Sequence, residues 1–121
     1  MASTPEGIVK KRGKALLDKH DAYYFMPVSN GMGVMGIFDI VCCLNGRFLG
    51  IECKKDANTK PTALQTRNAE RTIAAGGIAF LLHCDNMQEL EMLICRIKET
   101  PHGIDGGSFW PFDSGQKSDK W

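Results

Sequence analysis

Three residues, Asp39, Glu52 and Lys54, have the types and spacing for chemistry. They lie in DIVCCLNGRFLGIECKK (39–55), a stretch that is otherwise mostly apolar. Asn45-Gly46 at its centre is the strongest short hairpin signal. A two-residue turn there pairs Leu44 with Arg47, Cys43 with Phe48, Val41 with Gly50 and Ile40 with Ile51. Carried on, the register sets Asp39 opposite Glu52, on one face of the sheet. Lys54, two residues beyond Glu52, shares that face. Two carboxylates about 5 Å apart repel by roughly 3 kcal/mol at an effective dielectric of 20. Such a pair needs a counter-charge: Lys54 gives one, and a divalent cation gives two and takes oxygen ligands. Gly50, on the same face, is expected to leave room for a ligand. The competing reading is a hairpin that simply ends in water with exposed charges.

The elements that would position these residues follow from periodicity and punctuation. STPE (3–6) marks a helix start, with Ser3 or Thr4 as cap and Glu6 in the first turn. The helix runs to about residue 20, with Ile8, Val9, Leu16 and Leu17 on its apolar stripe. AYYFMPV (22–28) is expected as a strand, SNGMGVMG (29–36) as a loop, and 37–44 and 47–54 as the hairpin strands. After the linker DANTKP, residues 62–77 form a helix with Leu64 and Ile73 inward, ended by Gly76-Gly77. IAFLLHC (78–84) is a strand apolar on both faces. A last helix, 85–100, stops at Pro101. The order is α-β-β-β-α-β-α: an α/β fold with a mixed β-sheet flanked by helices. Residues 1–100 make a single domain and 101–121 an irregular, partly disordered tail. In that tail FWPF (109–112) is an apolar island, an arm for a partner subunit or a flap folded onto its own core.

Composition narrows the class. The chain has 121 residues, 43% apolar and 24% charged, ordinary for one globular domain. No run approaches the roughly 18 apolar residues of a membrane span, and the N-terminus lacks a signal-peptide core. A cytoplasmic protein with no membrane partner is expected. The five cysteines have no C-x-x-C spacing and are expected to be buried, reduced thiols. No histidine pair suits a metal site, and no Walker-type loop suggests ATP. Net charge is +1, but residues 1–71 carry eleven Lys/Arg against seven Asp/Glu and residues 72–121 four against seven. That asymmetry suits either a polyanion-binding face or ordinary solvated charge.

Asp39, a hairpin and then Glu52-Cys53-Lys54 is similar to the D…(D/E)-x-K signature of the PD-(D/E)xK nucleases. With Glu6 on the preceding helix, GVMGIFD and GRFLGIECK around the hairpin, Gln65 opening the next helix and GGIAFLL after it, residues 5–95 resemble the VRR-NUC family. The likeness is greatest to its small stand-alone phage members. Phe38 departs from the family's proline before the first acid.

The resemblance implies a metal-dependent DNA endonuclease on a PD-(D/E)xK core. Asp39 and Glu52 would be metal ligands, with the Cys53 backbone carbonyl a third and Glu6 within reach. Lys54 would orient the attacking water and stabilise the transition state. Mg²⁺ is the implied ion, with Mn²⁺ able to substitute. Glu6 and Gln65 each also fit a capping box, Ser3-x-x-Glu6 and Thr62-x-x-Gln65; for Gln65 the resemblance favours the active site. Lys10, Lys14, Lys55, Lys60 and Arg67 are candidate phosphate contacts. The implied partner is DNA, branched as in four-way junctions, cut by a homodimer, in a bacterial host cell if the gene is a phage's. The alternatives are a site-specific restriction-like nuclease and a non-catalytic nucleic-acid-binding module on the same core.

Overall fold

The Asn45-Gly46 turn sets the geometry of the sheet. In the computed structural model, which describes residues 4–28 and 36–112, both turn residues have positive φ, 50° and 79°. That is the pattern of a tight two-residue hairpin. The strands it joins, β2 (Ile40–Leu44) and β3 (Arg47–Cys53), pair in the expected register, from Leu44 with Arg47 through Ile40 with Ile51.

Around the hairpin the chain runs α1 (Pro5–Lys19), β1 (Tyr23–Phe25), β2, β3, α2 (Ala63–Ala74), β4 (Ile78–Leu82), α3 (Met87–Glu99) and a 3-10 turn, Pro101–Gly103. The sheet order is β1-β2-β3-β4, antiparallel except for the β3–β4 pair, which is parallel. A parallel pair needs a crossover, and α2 supplies it. This is the expected α/β order, with helices on both faces.

Side-chain alternation divides the core. Leu49, Ile51 and Cys53 of β3 and Ile78, Phe80 and Leu82 of β4 pack with Val9 and Leu17 of α1 and Leu90, Leu93, Ile94 and Ile97 of α3. Ala79 and Leu81 point the other way and pack with Ala69 of α2, Phe38 and Trp110. β4 is therefore buried along its whole length, as its apolar run implied. The buried stripe of α1 is Val9, Gly13 and Leu17, four residues apart. Ile8, expected on that stripe, is instead exposed. Leu64 is exposed too, because α2 buries the face carrying Thr66 and Ala69.

The packing extends beyond residue 100, the expected domain boundary. Backbone N–H groups of Ala79 and Leu81 donate to the carbonyls of Gly106 and Phe109, each at 3.2 Å. The chain thus lies along the outer edge of β4 and covers it. FWPF folds back onto its own core: Phe109 stacks on Phe80 with ring centroids 5.5 Å apart, and Trp110 donates to Thr66 Oγ1. Arg47 is buried and fully engaged, donating to the carbonyls of Gly76, Pro101 and Ile104. It locks the end of α2 to this returning segment. The expected disorder at the far end concerns residues 113–121, outside the described residues.

Two expectations need correction. The space above Gly50 is no ligand pocket: a Cβ there would stand 2.2 Å from the Phe38 ring, which fills it. Phe38 also meets Trp110 edge-on, with centroids 6.2 Å apart. The cysteines are all free, but only Cys42 and Cys53 are buried; Cys43, Cys84 and Cys95 are exposed. Cys43 lies on the sheet face away from α1 and α3. Among the described residues, no helix is long and apolar enough to cross a membrane.

The contact of Phe38 with Gly50 gives a direct test. Gly50→Ala should destabilise the protein by about 1–3 kcal/mol, because the buried Phe38 ring, packed on Trp110, must shift to make room. Urea denaturation of the variant and the parent measures this.

Candidate active site

Asp39 and Glu52 meet at the end of the hairpin away from its turn. Asp39 sits one residue before β2, in a bend, rather than within the strand. Its carboxylate completes the ladder that the backbone leaves off: Oδ2 accepts from the Cys53 N–H at 2.8 Å. That bond fixes Asp39 against the last residues of β3. Glu52, the penultimate residue of β3, is only 4% exposed. It points to the α2 side of the sheet, where the start of that helix meets it.

Gln65 resolves its two readings by serving both. Its Oε1 accepts from the Thr62 N–H at 2.9 Å, and its own N–H donates to Thr62 Oγ1 at 3.1 Å, a complete capping box. Its Nε2 donates to Glu52 Oε2 at 2.8 Å. One amide therefore caps α2 and holds the buried carboxylate. Gly36, with φ +78°, makes this approach possible: a Cβ there would lie 2.6 Å from the Leu64 carbonyl. The segment leading to Asp39 is thereby pressed against the start of α2. The rest of the expected loop, 29–35, and its suggested approach to DNA lie outside the described residues.

Lys54 converges on the pair as expected. It is largely buried, with Nζ 3.6 Å from Glu52 Oε2. Glu6 reaches the site through another residue. Its carboxylate lies 3.8 Å from Lys10 Nζ, and Lys10 Nζ lies 3.5 Å from Asp39 Oδ1. Thr4, not Glu6, supplies the cap of α1, accepting from the Gly7 N–H; Ser3 lies outside the described residues. Lys10, expected as a phosphate contact, is thus turned toward carboxylates. Nothing in the sequence pairs it with Asp39, 29 positions away; only the packing of α1 across the sheet does so. Lys55, Lys60 and Arg67 are exposed and Lys14 half-buried. Lys60 lines a cleft of about 460 Å³ with Thr66, His83 and Trp110.

The electrostatics of the pair are unbalanced. Burial pushes the Glu52 carboxyl up to about 8, the charge of Asp39 and a hydrogen bond to it add to the rise, and Lys54 opposes it. Burial also works against the charge of Lys10, but Asp39 and Glu6 outweigh it and raise that pKa. Glu52 therefore lacks the positive charge that would let it ionise freely at neutral pH. The donor set suits a hard divalent cation: two carboxylates, one of them short of counter-charge, with the Cys53 backbone between. Among the described residues, no group of three or more His, Cys, Asp and Glu side chains could hold a metal. Water and substrate oxygens would have to complete the coordination, as Mg²⁺ commonly requires.

The Glu52 shift has a stability consequence. Between about 4.5 and 8 the folded protein holds a proton that the unfolded chain releases. Stability of the metal-free protein therefore falls as pH rises through that window. Glu52→Gln should remove most of this slope and raise the melting temperature at pH 8 by on the order of 5 °C, with little change at pH 5. Thermal melts across pH in a chelating buffer check it.

No family model matches the chain, and no curated protein matches it. Among solved structures, one described as a "VRR_NUC domain" is 29% identical, with a TM-score of 0.64, over 76% of this chain and 96% of that one. With the acid–hairpin–Glu-x-Lys arrangement in place at the end of the sheet, the chain is similar in fold and sequence to this VRR_NUC domain.

Proposed function

We propose that the protein is a Mg²⁺-dependent DNA endonuclease, with Mn²⁺ able to replace Mg²⁺. The likeness to a VRR_NUC domain supports a nuclease-type function. The observation that carries the finer reading is Glu52: a carboxylate buried beside Asp39, held by Gln65 and approached by Lys54. A site arranged only for stability would not bury one carboxylate beside another.

Hydrolysis of a phosphodiester requires a water aligned with phosphorus and stabilisation of charge on the phosphoryl oxygens. A divalent cation would be held by Asp39 and Glu52, and would supply Lewis acidity and a more acidic bound water. The chain's own residues do the positioning. The Cys53 N–H keeps one oxygen of Asp39 occupied and the other, Oδ1, turned toward Lys10. Gln65 fixes Glu52 Oε2, so the carboxylate need not reorganise during reaction. Lys54, its Nζ 3.6 Å from Glu52 Oε2, orients the water and meets the developing negative charge. Lys14, Lys55, Lys60 and Arg67 hold the phosphates on either side.

The substrate we propose is branched DNA, four-way junctions above all, in phage replication, repair or recombination. A homodimer would suit paired incisions by two sites about a two-fold axis. The test is incubation of labelled four-way junction and matching linear duplex with Mg²⁺ or EDTA. Cutting of the junction alone, only with Mg²⁺, is expected, and Asp39→Ala or Glu52→Ala should abolish it without unfolding the protein. Lys54→Ala should slow cutting more than it weakens binding. Cuts at one sequence in linear duplex would instead indicate a restriction-like enzyme. Binding without cutting would indicate a binding module.

A further inference from the structure

The site holds a second lysine that the nuclease signature does not include. Lys10 rises from α1 beside Asp39, whereas Lys54 stands beside Glu52. Its Nζ stands 3.5 Å from Asp39 Oδ1 and 3.8 Å from Glu6 Oε2. Both separations exceed the roughly 2.7–2.9 Å of a tight charge-assisted hydrogen bond. The ammonium sits between the two acids rather than on either. Its stem is long and flexible, and Glu6, one turn back on the same helix, offers it a second resting place.

Charge counting gives this position a purpose. Three carboxylates, Glu6, Asp39 and Glu52, face two ammonium groups, Lys10 and Lys54. With all three carboxylates ionised and no metal, the cluster is short by one positive charge. With a divalent cation and both lysines retained, it has one positive charge in excess, which a phosphodiester would neutralise.

Resting on the metal-nuclease reading above, we propose that Lys10 is a tethered counter-ion. It stands beside Asp39 in the metal-free protein, yields that oxygen to the divalent cation, and swings toward Glu6 and the incoming DNA phosphate. It is a positioning residue: it makes metal binding weaker in the absence of DNA and couples metal loading to substrate.

The test is Mn²⁺ titration by calorimetry, without DNA, on the parent, Lys10→Met, Lys10→Gln and Lys11→Met. Lys11 is exposed on the same helix and controls for the general loss of a positive charge. Both Lys10 variants should bind Mn²⁺ on the order of five-fold more tightly, and Lys11→Met by less than two-fold. Metal-free Lys10→Met should melt lower than the parent and gain more on Mn²⁺ addition, as linkage requires. Equal or weaker affinity in the Lys10 variants overturns the counter-ion role while leaving the metal site standing, as does an equal gain in Lys11→Met. No Mn²⁺ uptake by any of the four proteins overturns the metal reading and the role of Lys10 with it.

Discussion

Two carboxylates held together at the end of a β-hairpin, one of them buried, are the constraint on which the rest of this structure depends. Left alone, Asp39 and Glu52 would repel, and the hairpin would fray at that end. Each is therefore tied down by a separate element. Asp39 takes the N–H of Cys53 in place of a strand partner. Glu52 takes the amide of Gln65, which is itself fixed by the capping box of α2. Gly36 brings the incoming chain against that helix start. The segment from Gly106 to Trp110 closes the β4 edge behind it, and Trp110 Nε1 reaches Thr66, next to Gln65. The remote parts of the fold serve to keep one carboxylate dry.

The site and its scaffold were legible in the sequence to the degree that local rules determine them. Asn45-Gly46 admits one turn geometry, so every pairing in the hairpin followed from two residues. The continuous apolar run IAFLL and the capping signal at Thr62 placed β4 and α2 for the same reason. The convergence of Asp39, Glu52 and Lys54 came from that register alone. Gln65 was readable as either cap or site residue, because a sequence shows the i,i+3 partner and not what lies across the sheet.

What escaped depends on contacts between distant segments. Gly50 looked like an open place, yet the Phe38 ring fills it. Lys10 looked like any basic helix residue until α1 crossed the end of the sheet. The glycine-rich segment after Pro101 looked irregular because its order is imposed by the unpaired N–H groups of Ala79 and Leu81. Arg47, the first residue of β3, is buried because three carbonyls from later in the chain converge on it. In each case the deciding partner lies more than ten residues away, beyond the reach of propensity and periodicity.

A proton on Glu52 and a divalent cation are two answers to the same electrostatic deficit. The measurement that separates them is the pH titration of the Glu52 carboxyl carbon by NMR, with and without Mg²⁺. Without metal it should titrate near 8, the value burial and Asp39 impose. With saturating Mg²⁺ the midpoint should move well into the ordinary carboxylate range. A midpoint already ordinary without metal would contradict the buried, under-compensated pair. A high midpoint that Mg²⁺ does not move would contradict its role as a metal site.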